Sequence, residues 1–204
     1  MPKQEVPSEV ILKYGISDID VQKAARLFDQ AFSGKFRYAI RNDSLRIKFW
    51  SEIINCEQIV AAYIHDELVG MGLVTFDGRP GFLKSAKKSF FEILGYRQGL
   101  KSGLYFILFS KLDKKIIFPN AYLEAISVSQ KYRGLGIGNN LISEVSKIAK
   151  EQGNTSLLLQ VVFENHQAQK LYERIGFKVV SVTKTPILKI FTRVSGASLM
   201  AKEL

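Results

Sequence analysis

Residues 10 to 17, VILKYGIS, alternate between apolar and polar positions with a period of two, which predicts a strand. The period then lengthens, and Val21, Ala24, Ala25, Phe28 and Ala31 share one face of a predicted helix that Asp18 is placed to cap. A second helix is expected over SLRIKFWSEII (44 to 54). QIVAAYIHDELVGMGLVTFDG (58 to 78) reads as two strands joined by a turn at His65 to Glu67. AYLEAISV (121 to 128) is another strand, followed by a helix with Leu141, Val145, Ile148 and Ala149 on one face and a stop at Gly153. SLLLQVVF (156 to 163) is nearly all apolar and reads as a buried strand. Asn165 caps a further helix whose apolar face holds Ala168, Leu171, Tyr172 and Ile175, with Gly176 at its end. KVVSVTK (178 to 184), ILKIFTRV (187 to 194) and ASLMAKEL (197 to 204) complete the chain as strands.

Residues 82 to 118 interrupt this order between two strand regions. They read as two short helices around Gly95 to Gly103, an insertion or a lid. Their alternating apolar and basic character suits packing on the core, and also a membrane surface or an apolar acceptor. The run Leu104 to Phe109 is far short of the roughly 20 apolar residues that span a bilayer.

Length and charge narrow the picture. A chain of 204 residues with 47% hydrophobic content is expected to form one domain, residues 1 to 204. The single cysteine, Cys56, and a start unlike a secretory signal point to a cytoplasmic protein without internal disulfides. With that cysteine and only His65 and His166, no metal-ligand spacing is present, and no metal is expected. The formal net charge of +10 favours anionic partners. The basic residues are spread along the chain without a nucleic-acid-binding signature, so no specific nucleic acid is expected.

The segment QKYRGLGIGNNL (130 to 141) carries the chemistry. Gly134, Gly136 and Gly138 lie within five positions, between a strand and the start of a helix. Such a junction gathers backbone N–H groups at the positive end of the helix dipole, where a phosphate binds. Glycine lets the chain adopt positive φ and approach an anion without a Cβ in the way. A Walker loop would require Gly-Lys-Ser or Gly-Lys-Thr, but Asn139 and Asn140 follow Gly138. A dinucleotide fingerprint would require glycine where Asn139 stands, and would normally follow the first strand.

Arg133-Gly134-Leu135-Gly136-Ile137-Gly138 instead resembles the acetyl-CoA loop of the GNAT superfamily of N-acetyltransferases. A second signature follows in order: NHQAQKLYERIGF, Asn165 to Phe177, resembles the family's Asn-x-x-Ala-x-x-Leu-Tyr-x-x-x-Gly-Phe block. The resemblance is sharpest over residues 121 to 180. It implies an α/β fold with a mixed, mostly antiparallel twisted sheet flanked by helices, to which this chain adds a helical insertion at about 82 to 118.

The activity it implies is direct transfer of an acetyl group from acetyl-CoA to an amine within a ternary complex. The backbone amides of Arg133, Gly134, Leu135, Gly136, Ile137 and Gly138 would hold the pyrophosphate, with the Arg133 side chain adding charge. A family bulge in the strand beside the loop would offer the amide of Ile126 or Val128 to the thioester oxygen, and splayed strands would admit the pantetheine arm. Asn165 either caps its helix or also reaches the pantetheine. Tyr172 is either a half-buried aromatic or the acid that protonates the departing thiolate.

Glu124 is a carboxylate inside an otherwise apolar strand. By the two-residue period it shares a face with Tyr122 and Ile126. It could act as base toward the acceptor ammonium, orient the acceptor, or form a salt bridge. Gln160 occupies a position where relatives that acetylate protein N-termini often carry glutamate, which weakens that acceptor class. The acceptor, small molecule or protein, is not legible, and a homodimer stays open. A non-catalytic acyl-CoA-binding regulatory module is the alternative, and a nucleic-acid-binding protein using its basic surface is a third.

Overall fold

Twelve elements follow one another in a computed structural model that describes residues 9–76, 86–110, 119–185 and 194–204. They are β1 (Ile11–Tyr14), α1 (Val21–Phe36), α2 (Asp43–Ile53), β2 (Ile59–Ile64), β3 (Glu67–Thr75), α3 (Ala86–Ser110), β4 (Asn120–Val128), α4 (Ile137–Glu151), β5 (Ser156–Val162), α5 (His166–Arg174), β6 (Lys178–Lys184) and β7 (Gly196–Glu203). The strands form one sheet in the order β1-β2-β3-β4-β5-β7-β6. Only the β4–β5 pairing is parallel, so the sheet is mixed and mostly antiparallel, as expected.

Both faces of the sheet are covered. Ala24, Ala25 and Phe28 of α1, Phe49 and Trp50 of α2, and Phe106 of α3 pack with Met71 and Leu73 of β3. On the other face Leu141 and Val145 of α4 and Tyr172 of α5 pack with Val74, Leu123 and Leu159. These spacings of three and four along each helix are the ones its apolar stripe requires.

α1 and α2 are joined by a buried polar network as well as by aromatic contact. Arg46, 1% exposed, donates from Nε and from Nη2 (2.7 Å) to Asp29 and from Nη1 to the Ile40 carbonyl (2.9 Å). Trp50 Nε1 donates to the same carboxylate at 2.9 Å. The Asp29 hydrogen bonds push the Arg46 guanidinium pKa up, keeping it charged in the core. Around it Phe28 and Phe36 lie 4.9 and 5.0 Å from Trp50, centroid to centroid.

Most predicted boundaries fall within a residue or two of those observed. His65 (φ 47°) and Asp66 (φ 59°) make the β2–β3 turn, both left-handed as a tight two-residue hairpin requires. Asp18 does not cap α1. It opens a 3-10 turn, Asp18–Asp20, and the helix begins at Val21 with Asp20 before it and no side-chain cap. Asp20 is engaged elsewhere, accepting from the Tyr63 hydroxyl at 2.9 Å and facing Lys23 at 3.4 Å. Nor is Ala31 part of the buried face, since it is exposed. The described part of the insertion, Ala86–Ser110, is helical and breaks at Gly95 (φ 70°, ψ 168°), running on from there through Gly103. Its second piece docks Phe106 against Phe36 (5.1 Å), and Ser102 Oγ donates to the Ala39 carbonyl (3.0 Å). The strand expected over 187 to 194 falls almost wholly outside the described residues.

Candidate functional site

The site begins with one extra residue in β4. From Gly70↔Val128 through Leu73↔Ala125 the β3–β4 register is even, and then Val74 pairs with Leu123. Glu124 is therefore unmatched, a bulge. The consequence is a change of face: Leu123 packs on the α4 side, whereas Ala125, two residues on, packs on the α1 side. Ser127 follows Ala125, its hydroxyl donating to the Leu27 carbonyl of α1 at 2.7 Å, while Ile126 and Val128 pack toward α4. This corrects the expectation that Glu124 shares a face with Ile126, because the bulge breaks the period between them. Glu124 instead accepts a hydrogen bond from Oγ1 of Thr75, a buried residue whose neighbour Leu73 packs on the α1 side.

Past the bulge β4 leaves its other neighbour. The β4–β5 pairing runs from Asn120↔Ser156 to Leu123↔Leu159 and stops, while β5 continues on β7 to Val162↔Ala197. The Ser129 amide donates to the Val69 carbonyl at 2.8 Å. Alternation along an antiparallel ladder then assigns Ser127 and Ala125 to bonding with β3, and turns the amides of Ile126 and Val128 toward the widening gap beside β5. On that side the Val128 carbonyl accepts from Arg133 Nε at 3.1 Å.

The glycine loop lies beside the gap. Gly134 (φ 82°) and Gly136 (φ 80°) are left-handed, which favours glycine at both. Gly136 is the N-cap of α4 and supplies no side-chain cap; the first in-helix bond is from the Asn140 amide to the Gly136 carbonyl at 3.1 Å. The amides of Ile137, Gly138 and Asn139 precede it at the positive end of a 15-residue helix. Gly138 is in ordinary helical conformation, and a Cβ there would lie 4.0 Å from Val128 Cγ2. Leu135 is half-buried against the α4-side core rather than facing the cavities.

Two cavities meet here. One, of about 400 Å³, is lined by the loop, including Gly134, Gly136, Ile137 and Gly138, and by Arg174 of α5. The other, of about 420 Å³, is lined by Gln30, Ala31 and Phe32 of α1, by Glu124, and by Gln160 and Asn165. Ile126, Ser127, Val128, Arg133 and Tyr172 line both. Loop, bulged strand, Asn165 and Tyr172 are thus brought together, with Leu135 set aside from the walls. Ser127 and Arg174 escaped the sequence reading. Ser127 sits at a buried position of an apolar alternation, and Arg174 reads as one more cation near a helix end.

Asn165 caps α5, its Oδ1 accepting from the Ala168 amide at 3.2 Å, and it also lines the second cavity. Tyr172 is 8% exposed, with its ring 5.9 Å from that of Phe177. Its hydroxyl has no hydrogen-bond partner among the described residues, and desolvation pushes its pKa up to about 12. Among the described residues lining the two cavities, Glu124 is the only carboxylate.

Comparison with known proteins bears on the fold and the family. The thialysine N-epsilon-acetyltransferase of Bos taurus is 38% identical over 74 residues, 36% of this chain and 41% of that protein. The chain therefore spans about two fifths of the length of that relative. An N-acetyltransferase from Staphylococcus aureus Mu50 has a similar fold, with a TM-score of 0.66 at 13% identity over 94% of this chain and 99% of that one. So does the PaiA N-acetyltransferase from Thermoplasma acidophilum in complex with coenzyme A, with a TM-score of 0.57 at 16% identity over 97% and 100%. Residues 24–177 match the sequence profile of the Acetyltransferase (GNAT) family, and the chain belongs to that family.

Proposed function

We propose that the chain, read as one domain, is an acetyl-CoA-dependent N-acetyltransferase that passes the acetyl group directly to a primary amine while both substrates are bound. The observation that carries this reading is the meeting of the two cavities at the β4–β5 gap, with Tyr172 and the outward-turned amides of Ile126 and Val128 where they join. The first-turn amides of α4 and the Arg133 guanidinium fit a pyrophosphate, and the gap fits a pantetheine arm. The amine would enter the second cavity, toward Glu124.

Transfer then follows from these positions. The amine nitrogen bonds to the thioester carbon, and the carbonyl electron pair moves to oxygen, which the amide of Ile126 or Val128 stabilises. Glu124 takes the nitrogen's proton, directly or through water, while Thr75 holds one of its oxygens. The carbon–sulfur bond breaks as the oxygen pair returns, and the thiolate receives the Tyr172 hydroxyl proton. A pKa near 12 keeps that proton in place at neutral pH, and solvent restores it after CoA leaves. A cytoplasmic setting goes with this reading through the free thiol of Cys56.

The bovine relative is named for the Nε of thialysine, so lysine-like amines head the acceptor panel, with small amines and peptide N-termini beside them. The test is incubation with acetyl-CoA and each amine, reading free thiol and product mass. Amine-dependent thiol release with an acetylated product is expected. Tight acetyl-CoA binding without turnover on any amine would favour the non-catalytic module, and absence of binding would overturn the site.

A further inference from the structure

We infer that α3 docks the protein on an anionic lipid surface. The observation is an exposed apolar stripe. After the break at Gly95, Tyr96, Leu100, Leu104 and Ile107 are 59% to 77% exposed. Their spacings of four, four and three place them on one helical face. Phe91 extends the stripe across the break, its ring 5.9 Å from that of Tyr96. The opposite side of the helix, with Ser102, Tyr105 and Phe106, is already in the core, so α3 has a fixed orientation. By area, exposed fractions of side chains this size sum to roughly 600 Å², at the upper end of what a monomer ordinarily leaves bare.

Charge identifies the occupant. Arg97 and Lys101 are exposed and follow the stripe around the helix at about 100° per residue. Lys101 also lies 5.3 Å from the centre of the Tyr38 ring, in the connection that carries exposed Arg37 and Arg41; of these Arg37 faces Asp43 at 3.6 Å. From Ile93 to Ser110 the sequence holds no carboxylate. A second copy would bring the same cations to the seam, with one carboxylate on each helix, Glu92 before the break, to meet them. Anionic headgroups supply the missing charge, and the acyl boundary receives the apolar side chains. The helix lies in the interface and does not cross it: among the described residues no helix is long and apolar enough to span. Among the described residues none of α3 lines either cavity, so docking leaves both accessible from the rest of the molecule.

The experiment uses the full chain with vesicles of phosphatidylcholine alone or mixed with phosphatidylserine, at low and high salt. Cosedimentation with the mixed vesicles only, weakened by salt, is expected. Tyr96→Trp is a reporter, because Trp50 is fully buried and gives a constant background. Its emission should shift to the blue on mixed vesicles and be quenched by brominated acyl chains. The pair Leu100→Glu, Leu104→Glu should bind at least ~10-fold more weakly with its circular dichroism and melting unchanged. The pair Lys147→Glu, Lys150→Glu on exposed positions of α4 alters net charge twice as much and should bind within about twofold of the parent if the stripe, not overall charge, does the docking. Equal losses in the two pairs, an unshifted Tyr96→Trp emission, or a concentration-dependent dimer that buries this residue without lipid would each overturn the proposal.

Discussion

Replacing Tyr172 by Phe separates its chemical role from its packing, because the ring stays and only the hydroxyl goes. That hydroxyl has no hydrogen-bond partner among the described residues, so at pH 7 stability should stay within about 0.5 kcal/mol of the parent. If the hydroxyl protonates the departing thiolate, kcat should fall roughly 10²-fold, or about 2.7 kcal/mol of barrier, with KM for both substrates little changed. A second signature comes from burial. Desolvation pushes the folded pKa up to about 12 from the ordinary tyrosine value, so the folded state holds this proton more tightly than the unfolded chain. The group's contribution is fully present below pH 10 and is lost as pH rises toward 12. At pH 11 the unfolded form gains on the order of 1 kcal/mol relative to pH 7, because it ionises first. Tyr63 and Tyr105 are raised by burial too, so the measurement is the difference between parent and variant in urea unfolding at the two pH values. The variant should lose less stability than the parent on going to pH 11, by on the order of 1 kcal/mol. An unchanged kcat with chemistry rate-limiting would refute the acid role, and identical pH dependence would refute the burial argument.

Four further outcomes follow from the same geometry. Glu124→Gln should lower kcat/KM for the amine at neutral pH and recover partly at higher pH, where the amine is already neutral; a rise in KM without recovery would make Glu124 an orienting group. Gly136→Glu should abolish acetyl-CoA binding by calorimetry, while Gly136→Ala, whose Cβ meets nothing within 4 Å, isolates the cost of a left-handed non-glycine, about 1–2 kcal/mol. Asn165→Asp should keep the helix cap and its melting temperature, yet raise KM for acetyl-CoA if the amide touches the cosubstrate; Asn165→Ala should in addition cost about 1 kcal/mol of stability. Arg46→Met should cost about 3–5 kcal/mol in denaturant unfolding, because it leaves Asp29 with an uncompensated charge in the core.

Much of this fold was legible because its signals are local. The left-handed residues at 65 and 66, the glycines that end α4 and α5 at 153 and 176, and the Asn165 cap each act within a few residues of where they stand. What failed depended on tertiary partners. Asp18 has the residue type and position of a cap, but the helix start is shifted by a 3-10 turn, and Asp20 answers to Tyr63, 43 residues away. Gly99 and Gly103 look like breakers beside Gly95, yet the helix continues past both because its buried side is held by Ser102, Tyr105 and Phe106. The exposure of Tyr96, Leu100, Leu104 and Ile107 was equally hidden. An apolar helical face in a sequence implies a covering surface without saying whether the chain supplies it.

The bulge at Glu124 marks where pattern reading reaches its limit at this site. Buried and half-buried positions alternate without a break from Asn120 to Val128, so AYLEAISV reads as a regular strand. The alternation is real but covers a change of face: Ala121 and Leu123 are buried against α4, Ala125 against the α1 side, and Ser127 through its bond to Leu27. A sheet with helices on both faces buries either side, so an extra residue leaves no mark in the apolar pattern. Its effect is large nonetheless. It sets Glu124 beside Thr75, turns Ile126 and Val128 toward α4, and coincides with the point where β4 leaves β5. Deleting Glu124 would remove the mismatch between β3 and β4, so the loss expected from that deletion exceeds the loss of a carboxylate: acetyl-CoA binding should fail along with catalysis, whereas Glu124→Gln should retain it. Calorimetry on the two proteins separates the residue's backbone role from its side chain, and equal affinities would show that the bulge does not shape the cosubstrate site.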